Sequence, residues 1–329
     1  MLDASETAPM TTTRSLDISL AGFGLELGAA ARGAAMAPQA LRTAGLLRVL
    51  ADLGHRVADR GTLHEAPTAP VAMDPEHARR CNNLAEIAGW TRAIHDQAFA
   101  MASAPGVPVF LGGDHAVSMG TITGIARARA EAGRRTAVLW LDAHADYNTP
   151  ATTPSGNMHG MVLSLVTGDP ILAPVLGERP FEALAPSDIT IFGARSIDPE
   201  EKLRLREHGV DAVDMRAIDE HGVSALLAGR IARWKAEGVS LHVSFDLDFL
   251  DPAVAPGTGT IVPGGATYRE AHLVMEMLCD SGIVGSLDVV ELNPFLDERG
   301  RSAVVATELV ASLFGRTVLD RAPGAVAAA

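Results

Sequence analysis

The sequence predicts an α/β fold built around a mainly parallel sheet. From Ser15 onwards, short apolar runs alternate with longer segments of helical period, which is the pattern of repeated strand–helix units. The short runs are apolar at nearly every position, as expected for strands covered by helices on both faces. No Pro/Gly/Ser-rich linker or internal repeat divides the chain. We therefore expect a single domain over residues 15–329, preceded by a polar, frayed leader over residues 1–14.

Eight strands and eight helices are predicted from these patterns. The predicted strands cover residues 17–21, 55–58, 107–111, 136–141, 188–192, 210–213, 241–245 and 286–290. The predicted helices cover residues 37–53, 75–104, 117–132, 159–167, 199–207, 224–237, 268–279 and 303–313.

The composition narrows the class of protein. A chain of 329 residues with 47% hydrophobic content can bury a large core. The net charge of -13 argues against nucleic-acid and anionic-membrane partners. Cys81 and Cys279 form neither a zinc motif nor a disulfide framework. No stretch of the sequence has the pattern of a membrane span or a signal peptide. We expect a cytoplasmic protein that acts on a small molecule.

The predicted strand at residues 136–141 runs directly into Asp142, His144 and Asp146. Side chains two positions apart on an extended backbone share a face, so all three point at one spot. Burying carboxylates without a counter-charge costs several kcal/mol or forces them to protonate. A bound cation resolves that cost. A capping loop that only satisfies backbone groups is the alternative, and this motif alone leaves both interpretations open.

Polar clusters follow four other predicted strands at the same end. In open α/β sheets the ligand site lies beyond the carboxyl ends of the strands. The clusters comprise Gly112, Gly113, Asp114 and His115 after 107–111, Arg195 and Asp198 after 188–192, Asp246 and Asp248 after 241–245, and Glu291 and Asn293 after 286–290. We therefore expect these side chains to lie along one rim of the sheet.

Six of the clustered residues have the chemistry of metal ligands, namely His115, Asp142, His144, Asp146, Asp246 and Asp248. Four carboxylates would balance two divalent cations, and oxygen-rich ligands without thiolate favour Mn²⁺, with Co²⁺, Ni²⁺ and Fe²⁺ as alternatives. Two ions that share a water lower its pKa from about 15.7 to about 7, giving a hydroxide nucleophile. A simple Asx-type turn is the alternative for Asp246 and Asp248, but the DAHAD motif elsewhere favours ligands.

Four ordered motifs resemble the ureohydrolase family, and arginases within it. They are GGDHAVSMG at 112–120, DAHADYNTPATTPSGNMHGM at 142–161, SFDLDFLDPAVAPGTGT at 244–260 and VELNP at 290–294. Segments at 31–46 and 264–278 extend the likeness along the chain. The resemblance implies a three-layer αβα fold with an eight-stranded, mainly parallel sheet, as in arginases and deacetylases. It also implies two Mn²⁺ ions and hydrolysis of a guanidino group.

The resemblance assigns roles to individual residues. It makes the six candidates metal ligands, with Asp146 also passing on the proton of the nucleophile. His159 becomes a proton shuttle and Glu291 the carboxylate that orients the guanidinium. By the same likeness the substrate is held by Asn148, Thr153 and Ser155 at its α-carboxylate and by Asp198 at its α-amino group, while Thr260 helps to hold Glu291 and the floor of the site. Taken alone, such residues are ordinary turn and strand-end residues.

The resemblance implies hydrolysis of L-arginine to L-ornithine and urea by a metal-bridging hydroxide. Relatives that act on agmatine do not usually carry the loop at 148–160. Phe249, where many members have glycine, and Ser196, where some have aspartate, are departures. Because of these two departures, another guanidino compound, such as 4-guanidinobutyrate, agmatine or formimidoylglutamate, is the alternative substrate. A one-metal, deacetylase-like amidohydrolase and a catalytically silent homologue are the alternatives from other classes.

Arg269 and Glu270 resemble a pair at the trimer interface of some arginases, which implies a homo-oligomer, either a trimer or a hexamer. Taken alone, the two residues are good helix formers in the first turn of a predicted helix.

Overall fold

The computed structural model describes residues 15–319, so the predicted leader at 1–14 lies outside the described residues. Its eight strands are β1 Asp17–Phe23, β2 Arg56–Leu63, β3 Val107–Leu111, β4 Thr136–Leu141, β5 Ile189–Ala194, β6 Asp211–Asp214, β7 Ser240–Asp246 and β8 Val284–Val290. They form one sheet in the order β2-β1-β3-β8-β7-β4-β5-β6. Every paired strand runs parallel to its neighbour. The predicted fold class is confirmed.

The helices of the described residues lie between and after the strands. The α-helices are α1 Ala37–Thr43, α2 Leu46–Asp52, α3 Pro75–Ala78, α4 Leu84–Ser103, α5 Val117–Glu131, α6 Val162–Val166, α7 Pro199–His208, α8 Met215–His221, α9 Val223–Glu237, α10 Tyr268–Ser281 and α11 Arg301–Leu313. Within residues 15–319, no helix combines the length and apolar character that a membrane span requires.

Two hydrophobic cores lie on opposite faces of the sheet. Successive side chains of a strand point to opposite faces, so Leu139 of β4 enters one core and Trp140 enters the other. The first core is covered by α1, α2, α8, α9, α10 and α11. The second is covered by α4, α5, α6 and α7. The sheet is therefore the middle of three layers, and only its ends are open to a ligand.

The predicted elements are largely present, with several differences. The strand predicted over 55–58 extends to Leu63, and the helix predicted over 159–167 is α-helical only over Val162–Val166, after a 3-10 helix at Met158–Met161.

The helix predicted over 37–53 is split at Gly45, whose φ of 94° interrupts the helical backbone. The helix predicted over 75–104 is interrupted between α3 and α4, where Asn83 adopts a φ of 53°. Helix α8 is absent from the predicted elements because it has only seven residues, of which Ile218 alone is buried. Its periodic signal is correspondingly short.

Phe249 packs beneath the carboxyl end of the sheet. Its ring is fully buried in the first core. Gly193 of β5 has a φ of 105°, and a Cβ atom there would approach the Phe249 ring to 2.4 Å. The ring therefore occupies the space that the absent side chain leaves. Phe249 is therefore a packing residue of the first core.

Arg269 and Glu270 lie in the first turn of α10. The Glu270 carboxylate accepts the backbone N–H of Thr267 at 2.8 Å and completes a capping box. The Arg269 guanidinium is 67% exposed and lies 3.7 Å from Glu276. Helix capping explains the presence of a glutamate at position 270. The assembly into a trimer or hexamer stays a prediction.

The contact between Gly193 and Phe249 predicts a large effect of one methyl group. Gly193→Ala should lower the free energy of unfolding by about 3 kcal/mol, because positive-φ strain and overpacking act together. Gly209→Ala is the control, since Gly209 has a φ of 68° but no atom lies within 4 Å of the position that its methyl group would take. It should cost about 1 kcal/mol. Denaturant unfolding measures both, and equal losses would show that the packing contact has no energetic role.

Candidate active site

The sheet order brings the predicted polar clusters together. Strands β3, β8, β7 and β4 are consecutive neighbours, and the clusters that follow them lie at their carboxyl ends. The cluster after β5 borders the same rim. Asn293 is the exception, because its side-chain amide donates to the carbonyl of Arg32 and its oxygen accepts from Phe295. Asn293 therefore joins the segment around Arg32 to the loop after β8 and lies outside the metal-like cluster, by which we mean the six candidate metal ligands.

Two groups of potential metal ligands share one aspartate. The first group consists of His115, Asp142 and Asp246, and the second of Asp142, His144 and Asp248. In the first, His115 Nδ1 lies 3.1 Å from Asp142 Oδ2 and 3.0 Å from Asp246 Oδ2. In the second, His144 Nδ1 lies 3.0 Å from Asp248 Oδ2 and 3.4 Å from Asp142 Oδ1. The two oxygens of Asp142 thus face different groups, as a bridging ligand requires.

Asp146 lies beside the first group. Its Oδ2 atom is 3.3 Å from His115 Nδ1, but Asp146 belongs to neither of the two ligand groups. Its backbone adopts a φ of 48°, which is uncommon for a residue with a side chain. Such strain is concentrated at functional sites. The structure therefore places Asp146 next to the candidate metal centre, at its edge.

The donor set fits a pair of divalent cations. His115 Nδ1 and Asp142 Oδ2 are buried, and neither makes a hydrogen bond within the described residues. Burial and the neighbouring carboxylates raise the pKa of Asp246 well above its ordinary value and that of Asp248 to about 6. Bound cations would bind the lone pairs of these unpaired atoms, and their positive charge would lower the raised pKa values of the aspartates.

A buried hydrogen-bond chain fixes the orientation of His115. Its Nε2 atom lies 2.9 Å from Ser244 Oγ, and that hydroxyl donates to Asp288. Because the Ser244 proton is used by Asp288, the hydroxyl oxygen accepts from His115 Nε2. The lone pair of neutral His115 is then on Nδ1, which faces the carboxylates. Asp288 also accepts hydrogen bonds from Ser118, Thr121 and His242.

His159 and Glu291 form a pair beside the metal-like cluster. His159 Nδ1 lies 2.9 Å from Glu291 Oε1, which also accepts the backbone N–H of His115 at 2.8 Å. Burial lowers the pKa of His159, but the hydrogen bond and charge of Glu291 outweigh it and raise that pKa to about 9. Glu291 is 2% exposed and has a φ of 62°. The two residues are thus placed together, with His159 nearer to solvent.

A cleft of about 170 Å³ opens over this cluster. One wall is formed by residues 148–157, which we call the cleft loop. The cleft is lined by His144, Asp146, Asn148, Thr153, Pro154, Ser155, Asn157, His159, Gly160, Ser196, Asp198, Glu201, Asp246 and Thr260. Asn148 Nδ2 donates to Asp198 Oδ2 at 3.0 Å, which joins the two walls. The residues predicted to contact the α-carboxylate and α-amino group therefore surround one cavity, whereas Glu291 lies behind His159 and is not among the lining residues.

Thr260 has a different partner from the one expected. Its hydroxyl donates to Asp248 Oδ2 at 2.9 Å, whereas the Glu291 carboxylate is held by His115 and His159. Among the described residues, Thr260 therefore makes no hydrogen bond to Glu291, and its hydrogen bond to Asp248 agrees with the expected support of the floor of the site. Thr260 supports a candidate metal ligand because a hydroxyl donor next to a ligating carboxylate fixes its orientation.

Glu201 is a cleft residue that is absent from the predicted site. One carboxylate oxygen accepts the N–H of Tyr147 at 2.9 Å, and the other accepts the N–H of Asp198 at 3.0 Å. Burial raises the pKa of Glu201 to about 7. Glu201 thus ties the start of the cleft loop to the opposite wall. The Asp-x-x-Glu spacing of a capping box is the signal in the sequence that could have indicated it.

A family model described as the arginase family matches residues 16–315. The chain belongs to the arginase family. It is 49% identical over 308 residues to an arginase of Agrobacterium fabrum, covering 91% of each chain. It is also 49% identical over 304 residues to an arginase of Brucella melitensis, covering 91% of this chain and 96% of the relative.

The fold of this arginase-family enzyme agrees with that of solved relatives. An arginase structure from Bacillus caldovelox superposes with a TM-score of 0.84 at 37% identity, covering 92% of this chain and 100% of that chain. A formimidoylglutamase structure from Bacillus subtilis, with a TM-score of 0.71 and 22% identity, shares the fold. The family and the hydrolase class inferred from the four motifs are confirmed.

The shared position of Asp142 predicts how metal binding responds to substitution. Asp142→Ala should lose both equivalents of divalent cation, because both ligand groups contain this residue. His144→Ala should lose about one equivalent, since the first group is intact. Metal analysis of dialysed, Mn²⁺-loaded protein gives the stoichiometry. Retention of two ions by Asp142→Ala would contradict the bridging geometry, and circular dichroism confirms that each variant is folded.

Proposed function

We propose that this arginase-family hydrolase cleaves the guanidino group of L-arginine to give L-ornithine and urea. One observation carries the proposal: the cleft has two chemically different ends. Its floor holds the carboxylates of Asp146 and Asp246, and its wall presents the amide and hydroxyl groups of Asn148, Thr153 and Ser155. A substrate with a guanidinium at one end and a carboxylate at the other matches this polarity.

The proposed cofactor is a pair of Mn²⁺ ions held by His115, Asp142, His144, Asp146, Asp246 and Asp248. Carboxylate and imidazole ligands without thiolate suit Mn²⁺, with Co²⁺, Ni²⁺ and Fe²⁺ as alternatives. When bound, such a pair supplies Lewis acidity and lowers the pKa of a shared water, which provides the nucleophile at neutral pH.

Glu291 is proposed to orient the guanidinium. Its Oε1 atom is used by His115 and His159, whereas Oε2 makes no hydrogen bond to any residue in 15–319. Guanidinium N–H groups pair well with carboxylate oxygens. The positive-φ backbone of Glu291 holds this carboxylate at the end of β8. A fixed carboxylate would keep the guanidinium carbon in line for attack.

Two side chains are proposed to move protons. Asp146 is beside the candidate metal centre and can accept the proton of the attacking water. His159 engages Glu291 through Nδ1, so that Nε2 is available on the cleft side. Although burial lowers the pKa of His159, the hydrogen bond and charge of Glu291 raise it to about 9, which favours the protonated form of His159 at neutral pH. His159 can therefore protonate the departing amine.

Substrate preference is tested with a urea assay on Mn²⁺-loaded protein. L-arginine should have the highest kcat/KM among L-arginine, agmatine and 4-guanidinobutyrate, because only L-arginine offers both an α-carboxylate and an α-amino group. Chelated protein should release no urea from any of them. Higher efficiency with agmatine or 4-guanidinobutyrate would assign the alternative guanidino substrate and overturn the assignment to arginine.

The proton-transfer role of His159 predicts a separable defect. His159→Ala should lower kcat by about 10²–10⁴-fold, the range of general acid–base catalysis, while two metal equivalents are retained. Partial recovery of kcat by added imidazole would identify the missing group as a proton carrier. Steady-state kinetics with parallel metal analysis measures both effects. An unchanged kcat would remove His159 from the proposed mechanism.

A further inference from the structure

The turn between α3 and α4 lies against the cleft loop. We call residues Arg80, Cys81, Asn82 and Asn83 the bracket. The bracket occupies the point where the sequence predicts one uninterrupted helix and the structure shows a break. Local rules of structure fail most often at functional positions. This turn is therefore a candidate functional position, and its role follows from its contacts.

Arg80 holds the outer part of the cleft loop. Its guanidinium donates from Nη1 to the carbonyl of Ala151 at 2.6 Å and from Nη2 to the carbonyl of Thr153 at 2.8 Å. The two donors of a planar guanidinium have a fixed geometry. Arg80 therefore sets the distance between these two carbonyls as well as their position. Thr153 is one of the residues that line the cleft.

Asn82 holds the inner part of the same loop. Its backbone N–H donates to the carbonyl of Gly156 at 2.8 Å, and its side-chain amide donates to the carbonyl of Ser155 at 3.1 Å and to Asn157 Oδ1 at 3.0 Å. Gly156 has a φ of 76°, and a Cβ atom there would lie 3.2 Å from the Arg80 carbonyl. Loop and bracket are thus in close backbone contact.

The carbonyls of the cleft loop depend on these donors. Within the described residues, the carbonyls of Ala151, Thr153, Ser155 and Gly156 accept hydrogen bonds from the bracket alone. The loop has no strand or α-helix of its own to hold it. The loop also makes internal hydrogen bonds, such as the one from the Thr153 N–H to the Thr149 carbonyl at 2.9 Å. The bracket therefore adds an external constraint to a loop that is partly held by its own turns.

Asn83 extends the bracket to the other side of the cleft. Its side-chain amide donates to the carbonyl of Leu27 at 2.8 Å. The adjacent Gly28 carbonyl accepts the N–H of His159 at 3.2 Å. The bracket thus connects the cleft loop with the segment that positions His159. The backbone of Asn83 has a strained φ of 53°, which agrees with a position that such contacts fix.

We infer that Arg80 and Asn82 are positioning residues that determine specificity for the α-carboxylate of the substrate. They hold the hydroxyl and amide groups of Asn148, Thr153 and Ser155 in the arrangement that this carboxylate requires. The inference rests on the proposed function, because it assumes an α-amino-acid substrate. The bracket touches neither the metal ligands nor the reacting atoms, so its effect reaches the reaction only through the loop.

The test compares two adjacent arginines. Arg80→Met removes both hydrogen bonds to the loop. Arg79→Met is the matched control, since the Arg79 side chain is exposed and no hydrogen bond or ion pair of it is present within residues 15–319. Arg80→Lys retains the charge but lacks the paired donors, so it separates hydrogen bonding from electrostatic attraction.

The expected result is a defect confined to the carboxylate-bearing substrate. For Mn²⁺-loaded Arg80→Met, kcat/KM for L-arginine should fall about tenfold, mainly through KM, as for the loss of two hydrogen bonds. The value for agmatine should change less than about twofold. Arg80→Lys should resemble Arg80→Met, and Arg79→Met should resemble the unmodified protein. Amide exchange of residues 149–157 should accelerate in both Arg80 variants and stay unchanged in Arg79→Met.

Several outcomes would overturn the inference. Equal losses for L-arginine and agmatine would indicate general damage to the site, and an unchanged Arg80→Met would show that the loop does not need the bracket. Full activity of Arg80→Lys would make charge the operative property. If the unmodified protein releases no urea from L-arginine, the proposed function fails and the inference fails with it, which is distinct from a defect limited to the variants.

Discussion

The architecture of the site depends on the negative charge that three aspartates bury at one edge of the parallel sheet. Asp142, Asp246 and Asp248 are buried within a few ångströms of one another, and the histidines among them cannot balance all three. Buried like charges are unfavourable unless a cation pairs with them. Arg195 does not fill this role, because its guanidinium donates to backbone carbonyls, including those of Asp248 and Val262. Two bound divalent cations, as proposed, would account for the arrangement.

The rest of the fold supports this cluster in layers. The order of the central strands brings the three metal-binding segments side by side. Behind them, Ser244 and Asp288 fix the orientation of His115. In front, the cleft loop is held by hydrogen bonds rather than by regular secondary structure, and Glu201 in the first turn of α7 ties its start to the opposite wall. The sheet thus holds the candidate metal ligands in place, while the proposed substrate contacts lie on a loop that hydrogen bonds from neighbouring segments hold in position.

The central strands and the metal-like cluster could be predicted from the sequence, and the reason is local. Residues 136–141 form a continuous apolar run followed at once by alternating Asp and His, so strand and ligands are encoded together. The features that could not be predicted depend on distant contacts. The hydrogen bond of Thr260 to Asp248, the hydrogen bond of Glu201 to the distant Tyr147 and the break before Asn83 arise from tertiary geometry. Local pattern cannot reveal such partners.

The central claim is that Asp142 joins two bound cations at this edge of the sheet. Anomalous diffraction from Mn²⁺-soaked crystals, recorded at the manganese absorption edge, tests it most directly. The account predicts two peaks about 3.5–4 Å apart, one beside His115 and one beside His144, with the Asp142 carboxylate between them. A single peak, or two peaks that do not both contact Asp142, would contradict it.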